Sequence, residues 1–314
     1  MASILDNVNQ RTNLVGENRL ELLLFHLQGR QYFAINVFKV KEVVNCLPLH
    51  HLPKSHNKIS GVVTIRGESI PVIDLQAAIG LPPLKPDPQN NLIITEYNRT
   101  IQGLLVGKVE HIVNMTWQEI MAPPATVGRH HYLTAITKIK INEINEIIEI
   151  IDVEKVLAEI VEYKIDITEG VVDNNIIDEF IGRKILHADD SSTARKQVSS
   201  TLAQLGVEIV PATNGQEALD ILKSWADEGK IIEDEILMLI TDAEMPIMDG
   251  YKLTSEIRQD KRFSNLFIVL NTSLSGNFNE AMVKKVGCDS FLSKFQPDQL
   301  VEIVQTRLKD KLNK

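Results

Sequence analysis

Cysteine is almost missing from this 314-residue sequence: Cys46 and Cys288 stand far apart, in no CxxC pair and with no histidines at ligand spacing. That excludes a disulfide framework and a cysteine-based zinc site, and it fits a reducing compartment. Positive charge is also short. The formal net charge is -9, and Lys and Arg form no run that would make a basic surface for nucleic acid. No apolar run approaches the roughly 18 residues that span a bilayer, and the start MASILDNVNQRTNLVGENRLELL lacks a basic region followed by an apolar core. The chain is therefore expected in the cytoplasm, with any membrane association made through partners and no direct insertion. What remains is ordinary globular composition, 44% hydrophobic and 24% charged, long enough for about two domains that each bury a core.

Two rhythms divide the chain. From about residue 20 to 152 the apolar residues fall into short clusters broken by turn formers: LELLLFHL, QYFAINV, GVVTIRG, SIPVIDL, NLIITEY, GLLVGKV and EIIEIID. Short strands with few helix-length periods predict an all-β barrel or sandwich. The Pro-rich stretch LPPLKPDPQNN at 81–91 interrupts it without ending it. IDVEKVLAEIVEY then predicts one helix, with Val153, Val156, Leu157, Ile160 and Val161 on one face. KIDITEGVVDNNIIDEFIG has no clear period and reads as a linker, partly docked because it carries so many Ile and Val. After Arg183, strand-like runs alternate with helical periods: KILHADD, VEIVPAT, ILMLITD, LFIVLNTS and SFLSKF are the five runs. Such alternation implies a parallel sheet covered by helices on both faces, with its site beyond the carboxyl ends of the strands.

That edge gathers the chemistry. Asp189 and Asp190 end the first run, Asp242 the third, Thr272 the fourth, and Lys294 lies at the end of the fifth. Any one acid there could serve a turn or a cap; together they form a set. Crowded carboxylates repel, so the site either raises a pKa or binds a hard cation, and oxygen ligands without His or Cys favour Mg²⁺. Mg²⁺ takes one or two carboxylates plus phosphate oxygens, and carboxylates are nucleophiles toward phosphorus. Asp242 is then the candidate phosphoacceptor, with Lys294 neutralising charge on the transferring group. A phosphatase in which Asp242 is the nucleophile would need a general acid two residues on, as in the haloacid dehalogenase family, where Asp serves; this chain has Glu244 and no cap-like insertion. Asn214 with Glu217 predicts a capping box for the second helix of this half.

The set DD at 189–190, DAEMPIMDG at 242–250, Thr272-Ser273 and FLSK at 291–294 resembles the receiver domains of two-component response regulators, over about 183–314. The resemblance implies a flavodoxin-like (βα)5 fold and phosphorylation of Asp242 by a histidine kinase. It also implies that Asp190, Asp242 and the backbone carbonyl of Glu244 hold Mg²⁺, that Asp189 assists through water, and that Thr272 and Phe291 form a switch pair. The sequence departs from the family's Lys-Pro: here it is Lys294-Phe295-Gln296-Pro297.

In the first half the only metal-like feature is histidine: His50-His51 with His56, and His130-His131, read as surface loops. LLLFHLQGRQYFAINVFKVKEVV, ISGVVTIRGESIPVIDL, VEHIVNMTWQEI and IIEIIDVEKVL resemble the CheW-type chemotaxis coupling domain, over about 18–162. The resemblance implies two small five-stranded barrels that bind the regulatory domain of the chemotaxis histidine kinase and the cytoplasmic tips of chemoreceptors. Glu42, Gly61 and Arg66 fall on family positions near those interfaces; Glu42 and Arg66 can pair, Gly61 can equally serve a turn, and Val40 is an apolar contact or a core residue. Asp74 is assigned to structure, Trp117 and Trp225 to packing.

The whole reads as a tail at 1–17, a coupling domain at 18–162, a linker at 163–182 and a receiver at 183–314. That order resembles CheV-type coupling proteins and implies a scaffold, not a turnover enzyme, whose coupling responds to Asp242. The alternative is a receiver that only drains phosphoryl groups from the kinase.

Overall fold

The computed structural model describes residues 19–97, 100–121, 132–141, 143–160, 166–272, 286–294 and 296–313. The expected tail at 1–17, His130, His131, Val161, Ser273 and Phe295 lie outside them. The chain forms two compact units, Leu20–Glu162 and Tyr163–Lys314.

The first unit is built from β1 (Arg19–His26), β2 (Tyr32–Asn36), β3 (Val40–Asn45), β4 (Ile59–Ile65), β5 (Glu68–Asp74), β6 (Asn91–Tyr97), β7 (Thr100–Val106), β8 (Val109–Thr116), β9 (Ile120–Met121), β10 (Leu133–Ile141) and β11 (Ile144–Ile151). One sheet has the order β3-β6-β7-β5-β4 and the other β8-β1-β2-β11-β10-β9, so each carries five strands and the second adds the two-residue β9. The chain opens in the second sheet, crosses to build the first, and returns. β2 pairs parallel with β11 and β5 parallel with β7, which ties segments distant in sequence. Leu22, Leu23, Leu24 and Phe25 are all buried, so β1 is covered on both faces, as its continuous apolar run requires.

Local chemistry explains the corners. Arg66 and Gly67, with φ of 51° and 86°, form a two-residue loop between the paired Ile65 and Glu68. A two-residue hairpin needs positive φ at both positions, which Gly67 supplies without strain. Asp74 caps α1 (Leu75–Ala78): its buried carboxylate accepts from Ala77 N at 2.9 Å and Leu84 N at 2.7 Å, so its role is structural. α2 (Val153–Ala158) is shorter than its periodicity predicts; Asp152 caps it, Val153, Val156 and Leu157 are buried, and Ile160 already lies in a turn. Trp117 packs against the Leu20, Leu22 and Leu24 cluster.

The second unit contains β12 (Lys184–Ala188), α3 (Ser192–Ala203), β13 (Glu208–Ala212), α4 (Gly215–Asp227), α5 (Ile232–Glu235), β14 (Met238–Asp242), α6 (Gly250–Gln259), β15 (Ile268–Thr272), β16 (Ser290–Ser293) and α7 (Pro297–Leu312). The sheet is all parallel with order β13-β12-β14-β15-β16, so the expected flavodoxin-like arrangement is present. Leu219, Leu222, Leu253 and Ile257 of α4 and α6 pack on one face, with Trp225 against them. Val198, Leu202, Leu300, Val304 and Leu308 of α3 and α7 pack on the other.

The predicted capping box at α4 is only half formed. Asn214 Oδ1 accepts from Glu217 N at 2.9 Å, but the Glu217 carboxylate accepts from Thr213 N at 2.7 Å rather than from Asn214. Thr213 also donates its hydroxyl to the same oxygen at 2.6 Å, and that second bond draws the carboxylate one residue back. Pro297 opens α7 at a position where its missing N–H costs nothing. Residues 166–182 pack against the receiver core through Ile167, Val171, Val172, Ile176 and the fully buried Phe180.

Candidate functional site

Parallel β strands all present their carboxyl ends to one edge, and the polar residues there come from four separate segments. Asp189 and Asp190 follow β12, Asp242 ends β14, Thr272 ends β15 and Lys294 follows β16. The carboxylate oxygens of Asp189, Asp190 and Asp242 lie within 4.8 Å of one another, the one such group of potential metal ligands among the described residues. Asp189 is fully buried and Asp242 is 5% exposed, while Asp190 is half-buried.

Two like charges buried this close require compensation, and Lys294 supplies part of it. Its Nζ, itself 1% exposed, donates to Asp242 Oδ2 at 2.9 Å and lies 3.2 Å from Asp189 Oδ2. Ser191 N donates to Asp189 Oδ1 at 2.8 Å, and Arg195 Nη1 donates to the Asp189 carbonyl at 2.5 Å. The sequence reading missed both residues. Ser191 had a signal, since it follows the acid pair and stands three residues before Ala194, whose N–H it caps; Arg195 had none. His187, two residues before Asp189, is fully buried, and burial first and the neighbouring cations second push its imidazole down to about 3. It stays neutral and adds no second cation beside Lys294.

The loop after Asp242 is fixed by backbone contacts. A Cβ on Gly250 would lie 2.0 Å from the Asp242 carbonyl, so only glycine lets α6 start there. A Cβ on Gly215 would lie 2.6 Å from the Met248 carbonyl, which instead accepts from Gly215 N at 3.0 Å. Between these fixed points Met248 N donates to Pro246 O at 2.7 Å across Ile247, whose φ is 68°. A β-branched residue in that region is strained by about 1–3 kcal/mol, and such strain concentrates at functional loops. Glu244, the residue expected to offer a carbonyl, lies in this loop.

Thr272 is buried and its carbonyl accepts from Lys294 N at 3.0 Å; Phe291, partly buried, packs against the α4 and α6 side. The hydroxyl thus sits on β15, the strand next to that of Asp242, and the ring on β16, one strand further out. An all-oxygen donor set with two buried carboxylates fits a hard divalent cation such as Mg²⁺.

The second group of residues is at the surface of the first unit. Arg66 Nη2 donates to Glu42 Oε2 at 2.8 Å, with the Arg side chain 80% exposed, and Val40 is half-buried in β3. Gly61 is buried: with φ at 150°, a Cβ there would lie 2.7 Å from the His50 carbonyl. Its need for glycine arises inside its own sheet, where His50 bridges to Val62, and not at an exposed contact. Among the described residues no helix is long and apolar enough to cross a membrane.

Comparison with known proteins matches both units. The CheW-like domain model matches residues 21–161 and the response regulator receiver domain model matches residues 185–305. Chemotaxis protein CheV3 of Helicobacter pylori is 28% identical over 297 residues, covering 91% of this chain and 93% of that protein. Chemotaxis protein CheV1 of the same organism is 26% identical over 324 residues, covering 97% and 98%. Over the receiver alone, chemotaxis protein CheY1 of Helicobacter pylori is 35% identical over 127 residues, 40% of this chain and 96% of that protein. A CheW-like domain followed by a receiver, matched along nearly the full length of relatives built the same way, places this chain in the CheV-type family of chemotaxis coupling proteins.

Proposed function

We propose that the chain is a chemotaxis scaffold that couples chemoreceptors to their histidine kinase, and that phosphorylation of Asp242 adjusts this coupling. The observation that carries the reading is the buried cluster of Asp189, Asp242 and Lys294 at the carboxyl edge of a parallel sheet. Asp242 attacks the phosphorus of a phosphohistidine through a carboxylate oxygen; the O–P bond forms as the P–N bond breaks, and its electron pair returns to the imidazole. Lys294 holds the carboxylate in place and offers its charge to the incoming phosphoryl oxygens. Asp189, Asp190, Asp242 and the Glu244 carbonyl would hold Mg²⁺, which when bound neutralises charge on the transferring group. Thr272 and Phe291 form the element that responds, the hydroxyl moving toward the phosphoryl group as the ring turns inward.

The coupling domain supplies the address. Val40, Glu42 and Arg66 line its partner surface toward the kinase regulatory domain and the receptor tips, beside the internal Gly61. The chain then works at membrane receptor arrays while remaining cytoplasmic itself, and it turns over no substrate beyond its own phosphotransfer. The test is phosphotransfer from the phosphorylated kinase to the full chain with Mg²⁺, read by intact mass. Wild type should gain one phosphoryl group, and Asp242→Asn or chelation of the metal should prevent it. Labelling of Asp242→Asn to the wild-type level would reject the assignment.

A further inference from the structure

The segment that the sequence marks as a linker is held by α7 in detail. Asp298 accepts from both Thr168 N, at 2.8 Å, and Thr168 Oγ1, at 2.6 Å. The Gln305 amide clamps the backbone on two sides, accepting from Asp173 N at 2.6 Å and donating to the Val171 carbonyl at 3.0 Å. Lys309 Nζ lies 2.6 Å from Asp173 Oδ2. These three side chains are spaced by seven and four residues, two turns and one turn, so a single stripe of the helix reads the segment. A turn at residues 168–171, closed by Val171 N on the Thr168 carbonyl at 3.1 Å with Gly170 at φ 87°, shapes it to fit.

This seat lies close in sequence to the lysine that holds Asp242. α7 starts three residues after Lys294, and Asp298 is in its first turn. A cavity of about 20 Å³ under that turn, lined by Gln197, Asn271, Gln296, Pro297 and Leu300, leaves it incompletely packed. Among the described residues, Gln197 Oε1 and Asn271 Oδ1 beside it make no hydrogen bond. The far end of the segment is different, since Phe180 is fully buried in the core. One end of the segment is therefore fixed by a fully buried ring, and the other is held by partly buried side chains and by four hydrogen bonds to α7, two of them exposed, beside a cavity about the size of one water.

We infer that residues 166–173 are a phosphorylation-sensitive latch, seated on α7 while Lys294 binds the bare carboxylates and loosened when a phosphoryl group on Asp242 draws Lys294 away. The inference rests on the phosphoacceptor reading above. Loosening frees the chain from about residue 166 toward the fixed Phe180 and lengthens the tether ahead of the receiver by roughly 3.3–3.6 Å per released residue. The tether sets the effective concentration at which one unit meets the other's partner, so its length is a control variable.

Hydrogen exchange of the full chain tests this, with Mg²⁺ and beryllofluoride as the phosphoryl mimic and fluorine NMR to report mimic binding. The amides of Thr168 and Asp173 should exchange about tenfold or more faster with the mimic, while those around Phe180 hold their rate. Gln305→Ala and Asp298→Ala, which remove the acceptors of these two amides, should raise exchange at Asp173 and Thr168 respectively by a similar factor with no mimic present. A bound fluorine signal with unchanged exchange at both amides would overturn the latch alone. Absence of that signal in wild type would overturn the phosphoacceptor reading and the latch with it, and unchanged exchange in both variants would remove the α7 seat.

Discussion

The candidate sites of the two units place their charges in opposite ways. In the receiver, Lys294 sits between Asp189 and Asp242 with all three side chains at most 7% exposed. In the coupling unit the corresponding feature, Arg66 with Glu42, is a surface pair whose Arg side chain is 80% exposed. A buried, crowded charge set is expensive to hold, whereas a surface pair on a β scaffold costs little to hold or lose.

Mutation of the two pairs should separate them most. Lys294→Ala leaves two buried carboxylates without their cation, and the receiver should lose about 3–5 kcal/mol, recovered in part by added Mg²⁺. Urea unfolding of the full chain in a Trp117→Phe background lets Trp225 report on the receiver alone; an unchanged midpoint would erase the contrast. Phe180→Ala sharpens the boundary between the units, since a fully buried ring lost from the α3 and α7 side should cost about 3–5 kcal/mol in the Trp225-reported transition. No shift there would return that residue to a free linker. Arg66→Ala should change the coupling unit by only about 0–1 kcal/mol, followed through Trp117 in a Trp225→Phe background.

The smallest effect is a pH response of the latch. Hydrogen bonds from Thr168 hold the Asp298 carboxyl below its ordinary 3.8, and Lys309 does the same for Asp173. A carboxyl depressed in the folded state contributes above its unfolded pKa and loses that contribution as pH falls through the folded value. The Thr168 and Asp173 amide resonances should therefore hold position from neutral pH down to about 3.8 and move only below it. Movement at mildly acidic pH would contradict the assigned partners.

The receiver was legible because its central strands β12, β14 and β15 are buried on both faces, so the polar residues ending the apolar runs stood out: Asp189, Asp242, Thr272 and, after β16, Lys294. The coupling unit showed its strands but not its sheet order, since the parallel joins of β2 to β11 and β5 to β7 link segments with no local signal. Gly61 illustrates the same limit, its need for glycine coming from a His50 carbonyl eleven positions away in sequence. The segment at 166–182 left no period because Ile167, Val171, Val172 and Ile176 meet the receiver core through a turn and a 3-10 segment, neither of which repeats at 3.6 or 2. Gln305, Asp298 and Lys309 stand on a helix whose apolar residues, Leu300, Val304 and Leu308, are core, and nothing in their spacing names the segment they hold.

The central claim is that the receiver regulates what the coupling unit does. Co-sedimentation of the full chain with receptor-kinase arrays, with and without beryllofluoride and Mg²⁺ and with Asp242→Ala as control, tests it most directly. The account predicts that the mimic changes the bound fraction of wild type, by the roughly 5- to 150-fold range of typical allosteric coupling, and leaves Asp242→Ala unchanged. Equal binding of wild type in both conditions would contradict it and leave the receiver as a phosphoryl sink.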